Sequence, residues 1–201
     1  MESGWWAPVL AARRANRLGF VVDVVSYGQR DEQEQKHVET RLLALLRTVV
    51  ADVGDDFDEV DRDSGAGDST VVLLATGDDP TDRLPVLLRS VARRLAEDNA
   101  ASGDRIRLRM AVGTGPVAAG GHGFAGPLVV NISRLVDSEP LRRAVAENPA
   151  ADLAVLVLDP GQREVAPGYA PLVPDRVELV DVAMKEFVEQ ASLWVSSPQR
   201  R

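Results

Sequence analysis

Residues 19–28 read GFVVDVVSYG. Phe20, Val21, Val22, Val24 and Val25 make one run of aromatic and β-branched side chains, which suits a strand covered on both faces. Asp23 stands in the middle of that run. An unpaired buried carboxylate is strongly destabilising, so this residue needs a partner. The partner is a cation, a set of backbone N–H groups, or water reached at an edge or bulge. The spacing predicts a strand over 18–27 with a carboxylate that has a task.

Working outward, residues 32–53 carry Val38, Leu42, Leu45, Leu46, Val49 and Val53 at intervals of three and four, the period of an amphipathic helix. A short strand is expected near Phe57–Val60, then a Ser-Gly-Ala-Gly turn and a second apolar strand, STVVLLAT, at 69–76. A helix over about 81–100 presents Leu84, Leu87, Leu88, Val91 and Leu95. In DRIRLRMAV, 104–112, Ile106, Leu108 and Met110 alternate with arginines, which predicts a half-exposed strand. The glycine-rich 113–126 reads as a connection, followed by a helix at about 127–146 and a buried strand, DLAVLVLD. A proline-rich loop precedes a final pair of strands, RVELVDVAM and ASLWVS. The order β-α-β-β-α-β followed by α-β and a hairpin is an α/β (α+β) arrangement: a ferredoxin-like or palm βαββαβ sheet with helices on one face, extended by a further α-β unit and a C-terminal hairpin. The division expected is an arm over 1–17 bearing Trp5 and Trp6, one domain over 18–196, and a tail over 197–201.

Composition narrows the chemistry. A net charge of -8 argues against a nucleic-acid backbone or an anionic membrane as the main partner. There is no cysteine, which excludes disulfides, thiolate catalysis and cysteine metal sites. No run approaches 18 apolar residues and the first residues lack the order of a signal peptide, so the expected location is cytoplasmic. Basic residues other than Lys36 and Lys185 are arginines, which with abundant Ala, Val and Asp suits a GC-rich bacterial genome. The two histidines, His37 and His122, lie far apart and make no zinc pattern. GTGPVAAGG lacks the spacing of a dinucleotide-binding turn, and no GxxxxGK phosphate loop occurs.

Asp68 opens the strand after Gly-Ala-Gly. In a palm sheet the first strand lies beside the hairpin of the next two, so Asp23 and the Asp68 turn come near each other. Two close carboxylates repel, and a divalent cation removes the conflict. Mg²⁺ takes one or two carboxylates together with phosphate oxygens and water. The plainer alternative is a strand aspartate satisfied by N–H groups, and ordinary turn chemistry at Asp68.

VVDVVSYG, GAGDSTVVLLA, IRLRMAVGTGPVAAGGHGFAG and VVNISRLVDS follow in this order. Together they resemble the catalytic domain of the class III nucleotidyl (adenylyl and guanylyl) cyclases over about residues 18–196, in particular its divergent bacterial cyclase-like members. That resemblance implies a homodimer with sites at the interface and a nucleoside triphosphate as substrate. It implies two divalent ions, Mg²⁺ or Mn²⁺, on Asp23 and Asp68 with the Val24 carbonyl as a further ligand. One ion would activate the ribose 3′-hydroxyl and the other would grip the triphosphate. The backbone of Ser26, Tyr27 and Gly28 would wrap the phosphates, Arg134 would stabilise charge on the α-phosphate, and Lys185 would lie near the phosphates. Read without the family, Arg134 and Lys185 are ordinary surface cations.

Three positions depart from the family pattern. Ser64, four before Asp68, stands where a base-reading lysine or glutamate is usual, unless an inserted residue brings in Arg62 or Asp63. Gly123, beside His122, stands where an aspartate or cysteine is usual, which leaves His122 as the candidate base contact. Strict spacing puts Val130 at the place of the transition-state asparagine, and Asn131 one residue on, about 100° around the helix. Two readings follow: a cyclase with altered base recognition, or a catalytically inactive homologue that binds nucleotide or serves as a dimeric signalling module, alone or with a partner signalling protein.

Overall fold

The computed structural model describes residues 15–64, 68–75, 80–120, 123–158, 177–184 and 187–196. Their strands form an eight-stranded sheet. Strand β1 (Ala15–Val24) begins three residues before the expected start at 18 and stops three short of the expected end at 27. Ser26 takes a left-handed conformation, φ 60°, and the amides of Gln29 and Arg30 close a tight turn on the carbonyls of Ser26 and Tyr27. That turn ends the strand and aims the chain into α1 (Glu32–Asp52). The helix opens with a capping box, in which Asp31 accepts from the Glu34 amide at 2.8 Å and Glu34 accepts from the Asp31 amide at 3.0 Å.

The strand expected at Phe57–Val60 is a turn instead. The amides of Glu59 and Val60 bond the Asp56 carbonyl, and the Asp56 side chain accepts from the Asp58 amide. Phe57 and Val60 therefore plug the core as turn residues. Strand β2 (Asp61–Ser64) follows and pairs with β3 (Ser69–Leu73). Helix α2 (Pro80–Ala101) returns across the sheet with Leu84, Leu87, Leu88, Val91 and Leu95 buried, as the sequence predicts.

The glycine-rich stretch is not a loose connection. It continues β4 (Leu108–Gly120), which pairs along the whole of β1, and then forms β5 (Gly123–Ala125). β4 is a central strand between β1 and β6 (Leu153–Leu158), so it is covered rather than half-exposed. The helix expected at 127–146 is two helices, α3 (Pro127–Val136) and α4 (Glu139–Glu147). Pro140 has no N–H to give and its ring would meet the carbonyl four residues back, so the helix restarts there. β7 (Val177–Met184) and β8 (Phe187–Val195) complete the sheet, β8 starting four residues earlier than ASLWVS.

The strand order is β2-β3-β1-β4-β6-β8-β7. β1 to β4 with α1 and α2 form the ferredoxin-like βαββαβ unit, and α3, α4 and β6 to β8 extend it. Leu18, Phe20, Val22 and Val24 of β1 face α1 and α2, while Val21 packs with α3 and α4 on the opposite side. The added α-β unit thus covers the face that the basic palm leaves bare, and helices lie on both sides. α3 sits close to the sheet because small residues let it. A side chain on Gly115 would come 3.2 Å from Leu128 Cβ, and Gly126, at φ 149°, would put a Cβ 2.6 Å from the Pro116 carbonyl.

Tyr27 is buried in the α1–α2 core, where its hydroxyl donates to the Glu39 carboxylate. That bond, burial, and the negative charges of Glu39 and Asp68 push its ionisation up to about 12.

Two outcomes are expected. Gly126→Ala should lower the urea-unfolding free energy by about 1–3 kcal/mol, since a side chain there meets both a left-handed backbone and a carbonyl. In an ultraviolet pH titration a tyrosine should ionise near pH 12, and Tyr27→Phe should remove that phase. Because the folded value is raised, the stabilisation from the Tyr27 hydroxyl is full below pH 10 and lost as pH rises towards 12. The stability gap between wild type and Tyr27→Phe, about 1 kcal/mol at neutral pH, should shrink over that window.

Candidate functional site

Asp23 lies near the end of β1, only 7% exposed, on the α3 side of the sheet. Its neighbours across the ladder are Ser69 on β3 and Arg109 on β4. The next amide, Val24 N–H, donates to the Asp68 carbonyl at 2.9 Å. The antiparallel pairing of β1 with β3 therefore sets the Asp68 backbone opposite Val24, the residue after Asp23.

The sequence reading missed Arg109. Its Nε donates to Asp23 Oδ2 at 2.9 Å, and its Nη2 donates to the same oxygen. Among the described residues Asp23 Oδ1 accepts no hydrogen bond. Burial pushes the Asp23 carboxyl above its ordinary value, opposed by the Arg109 hydrogen bonds and charge, while Asp68 and Asp137 push the same way as burial. Arg109 Nη2 also lies 3.7 Å from Asp137 Oδ1, just past the C-terminus of α3. The signal for this residue was present in the alternation of 104–112: an arginine on the face away from Ile106, Leu108 and Met110, in a strand that proves to be central.

Helix α3 carries the other two catalytic candidates. Leu128, Ile132 and Leu135 face the sheet. Asn131 and Arg134 stand three apart on one flank, each half-buried, and neither side chain makes a hydrogen bond or ion pair among the described residues. Val130 is 45% exposed, an apolar side chain turned to solvent at the position the family pattern gives to asparagine.

The remaining predicted positions scatter. Ser26 is exposed and Gly28 lies in the same turn, with Tyr27 anchored in the core by its side chain. The Val24 side chain is in the α1–α2 core, which leaves only its backbone for a ligand role. Ser64 is exposed at the end of β2 opposite Thr70. Arg62 is committed elsewhere: it donates to the Phe57 carbonyl and lies 4.5 Å over the Phe57 ring. His122 and Lys185 lie outside the described residues.

No cluster of three or more histidine, cysteine or acidic side chains placed to hold a metal occurs among the described residues. Two carboxylates with an unbonded Asp23 oxygen still suit a hard cation that takes its other ligands from phosphate and water. The donor set fits such an ion on those terms, with Arg109 as the group already in contact with Asp23.

No protein-family model and no curated protein sequence matches the chain. Solved structures do. The adenylyl cyclase CyaB from P. aeruginosa matches with a TM-score of 0.59 at 15% identity, over 94% of this chain and 97% of that one. The guanylate cyclase domain of RhGC from Catenaria anguillulae, solved in complex with GTP, matches with a TM-score of 0.58 at 15% identity, over 92% and 98%. A non-canonical dimeric guanylyl cyclase domain of the RhoGC fusion protein from Blastocladiella emersonii matches with a TM-score of 0.58 at 13% identity, over 90% and 96%. Over nearly its whole length the chain has the fold of a class III nucleotidyl cyclase catalytic domain.

Proposed function

We propose that this chain is a nucleotidyl cyclase domain that converts a nucleoside triphosphate to a 3′,5′-cyclic nucleotide and pyrophosphate at the interface of a homodimer. The observation that carries the reading is the buried Asp23 beside Asp68, on the sheet face that also bears the unpartnered Asn131 and Arg134. In the reaction the ribose 3′-oxygen forms a bond to the α-phosphorus, the bond from that phosphorus to the β-bridging oxygen breaks, and the 3′-hydroxyl proton passes to solvent. A divalent ion, Mg²⁺ or Mn²⁺, supplies Lewis-acid stabilisation when bound, and two such ions would be held by Asp23, Asp68 and the Val24 carbonyl.

The chain's own residues do the rest. Asp23 and Asp68 bring negative charge to one end of β1 and so fix where the triphosphate's cations sit. The backbone of Ser26–Gly28 passes the phosphates, and its turn is pinned through Tyr27 on Glu39. Arg134 offers a guanidinium with no other partner among the described residues to the charge that grows on the α-phosphate. Lys185 would add to the phosphate grip, and Ser64 and His122 would meet the base. Asn131 is assigned to orienting the ribose from the same helix flank as Arg134.

A second reading, a nucleotide-binding or dimeric module without turnover, is favoured by Val130. An exposed valine at the asparagine position removes a polar group from the reacting end. Within the described residues no helix is long and apolar enough to cross a membrane.

The experiment is incubation with ATP, GTP, CTP and UTP in Mg²⁺ and in Mn²⁺, with mass spectrometry for cyclic product. A metal-dependent product that Asp68→Asn reduces to background is expected, and it names the base. Arg134→Ala should lower kcat by about 100- to 1,000-fold with little change in unfolding midpoint. Product formation that survives Asp68→Asn would overturn the assignment. No product from any triphosphate, with metal-dependent nucleotide binding retained, would establish the second reading. Val130→Asn then becomes informative: it should raise turnover if the missing amide limits the reaction.

A further inference from the structure

We propose that Arg109 is a positioning residue: it occupies Asp23 in the metal-free chain and passes to Asp137 when Asp23 ligates a divalent cation. The inference rests on the proposed metal role of Asp23 and adds the group that controls access to it.

The argument begins with burial. The Asp23 side chain is 9% exposed and that of Arg109 17%, so each needs the other's charge when no ion is bound. Arg109 is the ladder partner of Asp23, which fixes its backbone beside the carboxylate, and both its hydrogen bonds fall on one oxygen, Oδ2. A cation drawn to Asp23 and Asp68 would face a guanidinium already on Asp23. Asp23 Oδ1 is open to an ion among the described residues, but a cation and a guanidinium sharing one buried carboxylate repel, so an ion on Oδ1 favours release of Oδ2 by Arg109.

A receiver stands within reach. Asp137 Oδ1 is 3.7 Å from the same Nη2, just short of a good hydrogen bond, and the Asp137 side chain is 66% exposed and can close that gap. Asp137 caps the C-terminus of α3, the helix that carries Asn131 and Arg134. Its backbone amide is occupied by the Leu135 carbonyl, but its carboxylate makes no hydrogen bond among the described residues. Among the described residues the charged groups acting on Asp23 are Arg109, Asp68 and Asp137. With Arg109 on Asp23, Asp68 and Asp137 have no cation in hydrogen-bonding contact among the described residues; with Arg109 on Asp137 and a divalent ion on Asp23 and Asp68, all three are matched. Transfer of Arg109 also ties the end of α3 to β4, so metal loading and the placement of Arg134 become one event.

The test measures Mn²⁺ affinity of the full chain without nucleotide by electron paramagnetic resonance, and thermal midpoints with and without Mn²⁺. Arg109→Met should lower the metal-free midpoint and tighten Mn²⁺ about tenfold or more, because the ion no longer competes with a guanidinium. Arg109→Lys, which keeps the charge, should return affinity towards wild type. Asp137→Asn, an exposed change that leaves the core intact, should weaken Mn²⁺ by about two- to fivefold. Unchanged or weaker Mn²⁺ binding in Arg109→Met, with binding still lost in Asp68→Asn, would overturn the exchange and leave the metal site standing. Unchanged affinity in Asp137→Asn would remove Asp137 as receiver and overturn the proposal as stated, even where Arg109→Met does not fold. A wild-type chain that binds no Mn²⁺ would overturn both the exchange and the metal reading beneath it.

Discussion

β1 is hydrogen-bonded on both edges and covered on both faces, and every other element is placed by that fact. β4 pairs with it along its whole length and β3 over Gly19–Asp23. α1 and α2 close one face through Phe20, Val22 and Val24; α3 and α4 close the other around Val21. A strand so enclosed has no room for an uncompensated charge. Asp23 is tolerated because β4 supplies Arg109 at the opposing position, and the geometry of the site follows from meeting that one requirement.

The same enclosure explains why the site lies at the end of β1. The strand stops at Val24, where Ser26 turns left-handed and the Asp68 carbonyl takes the last amide. Backbone ordering of this kind sets the Asp68 carbonyl beside the end of β1, and Arg109 links Asp23 to Asp137 at the C-terminus of α3. The half-buried flank of α3 carries Asn131 and Arg134, whose side chains have no hydrogen-bond or ion-pair partner among the described residues.

Much of the fold was legible because periodicity reports burial directly. The stripes of α1 and α2 and the apolar runs of β1, β3 and β6 were read correctly from spacing alone. The errors share a cause. Phe57 and Val60 look like strand residues, but local bonds to Asp56 make a turn that buries them anyway. Glycines 113–126 look like a loop, but on a strand beside α3 small residues are what permit close packing. The break at Asp137–Ser138 was marked by Pro140 and overlooked because the apolar stripe continues across it.

By itself the sequence determined the βαββαβ order, the placing of a carboxylate, Asp23, inside an apolar strand with Asp68 at the start of the next hairpin's second strand, and the helix bearing Asn131 and Arg134. These follow from local patterning and from motifs that lie close in the chain. Only the tertiary structure decided the partner of Asp23, since Arg109 is 86 residues away and meets it through sheet register. It likewise decided that helices cover both faces and that Tyr27 is an anchor in the core. The physical reason is that pairing across strands depends on register, and register is set by the burial of whole faces, which no single stretch of residues contains.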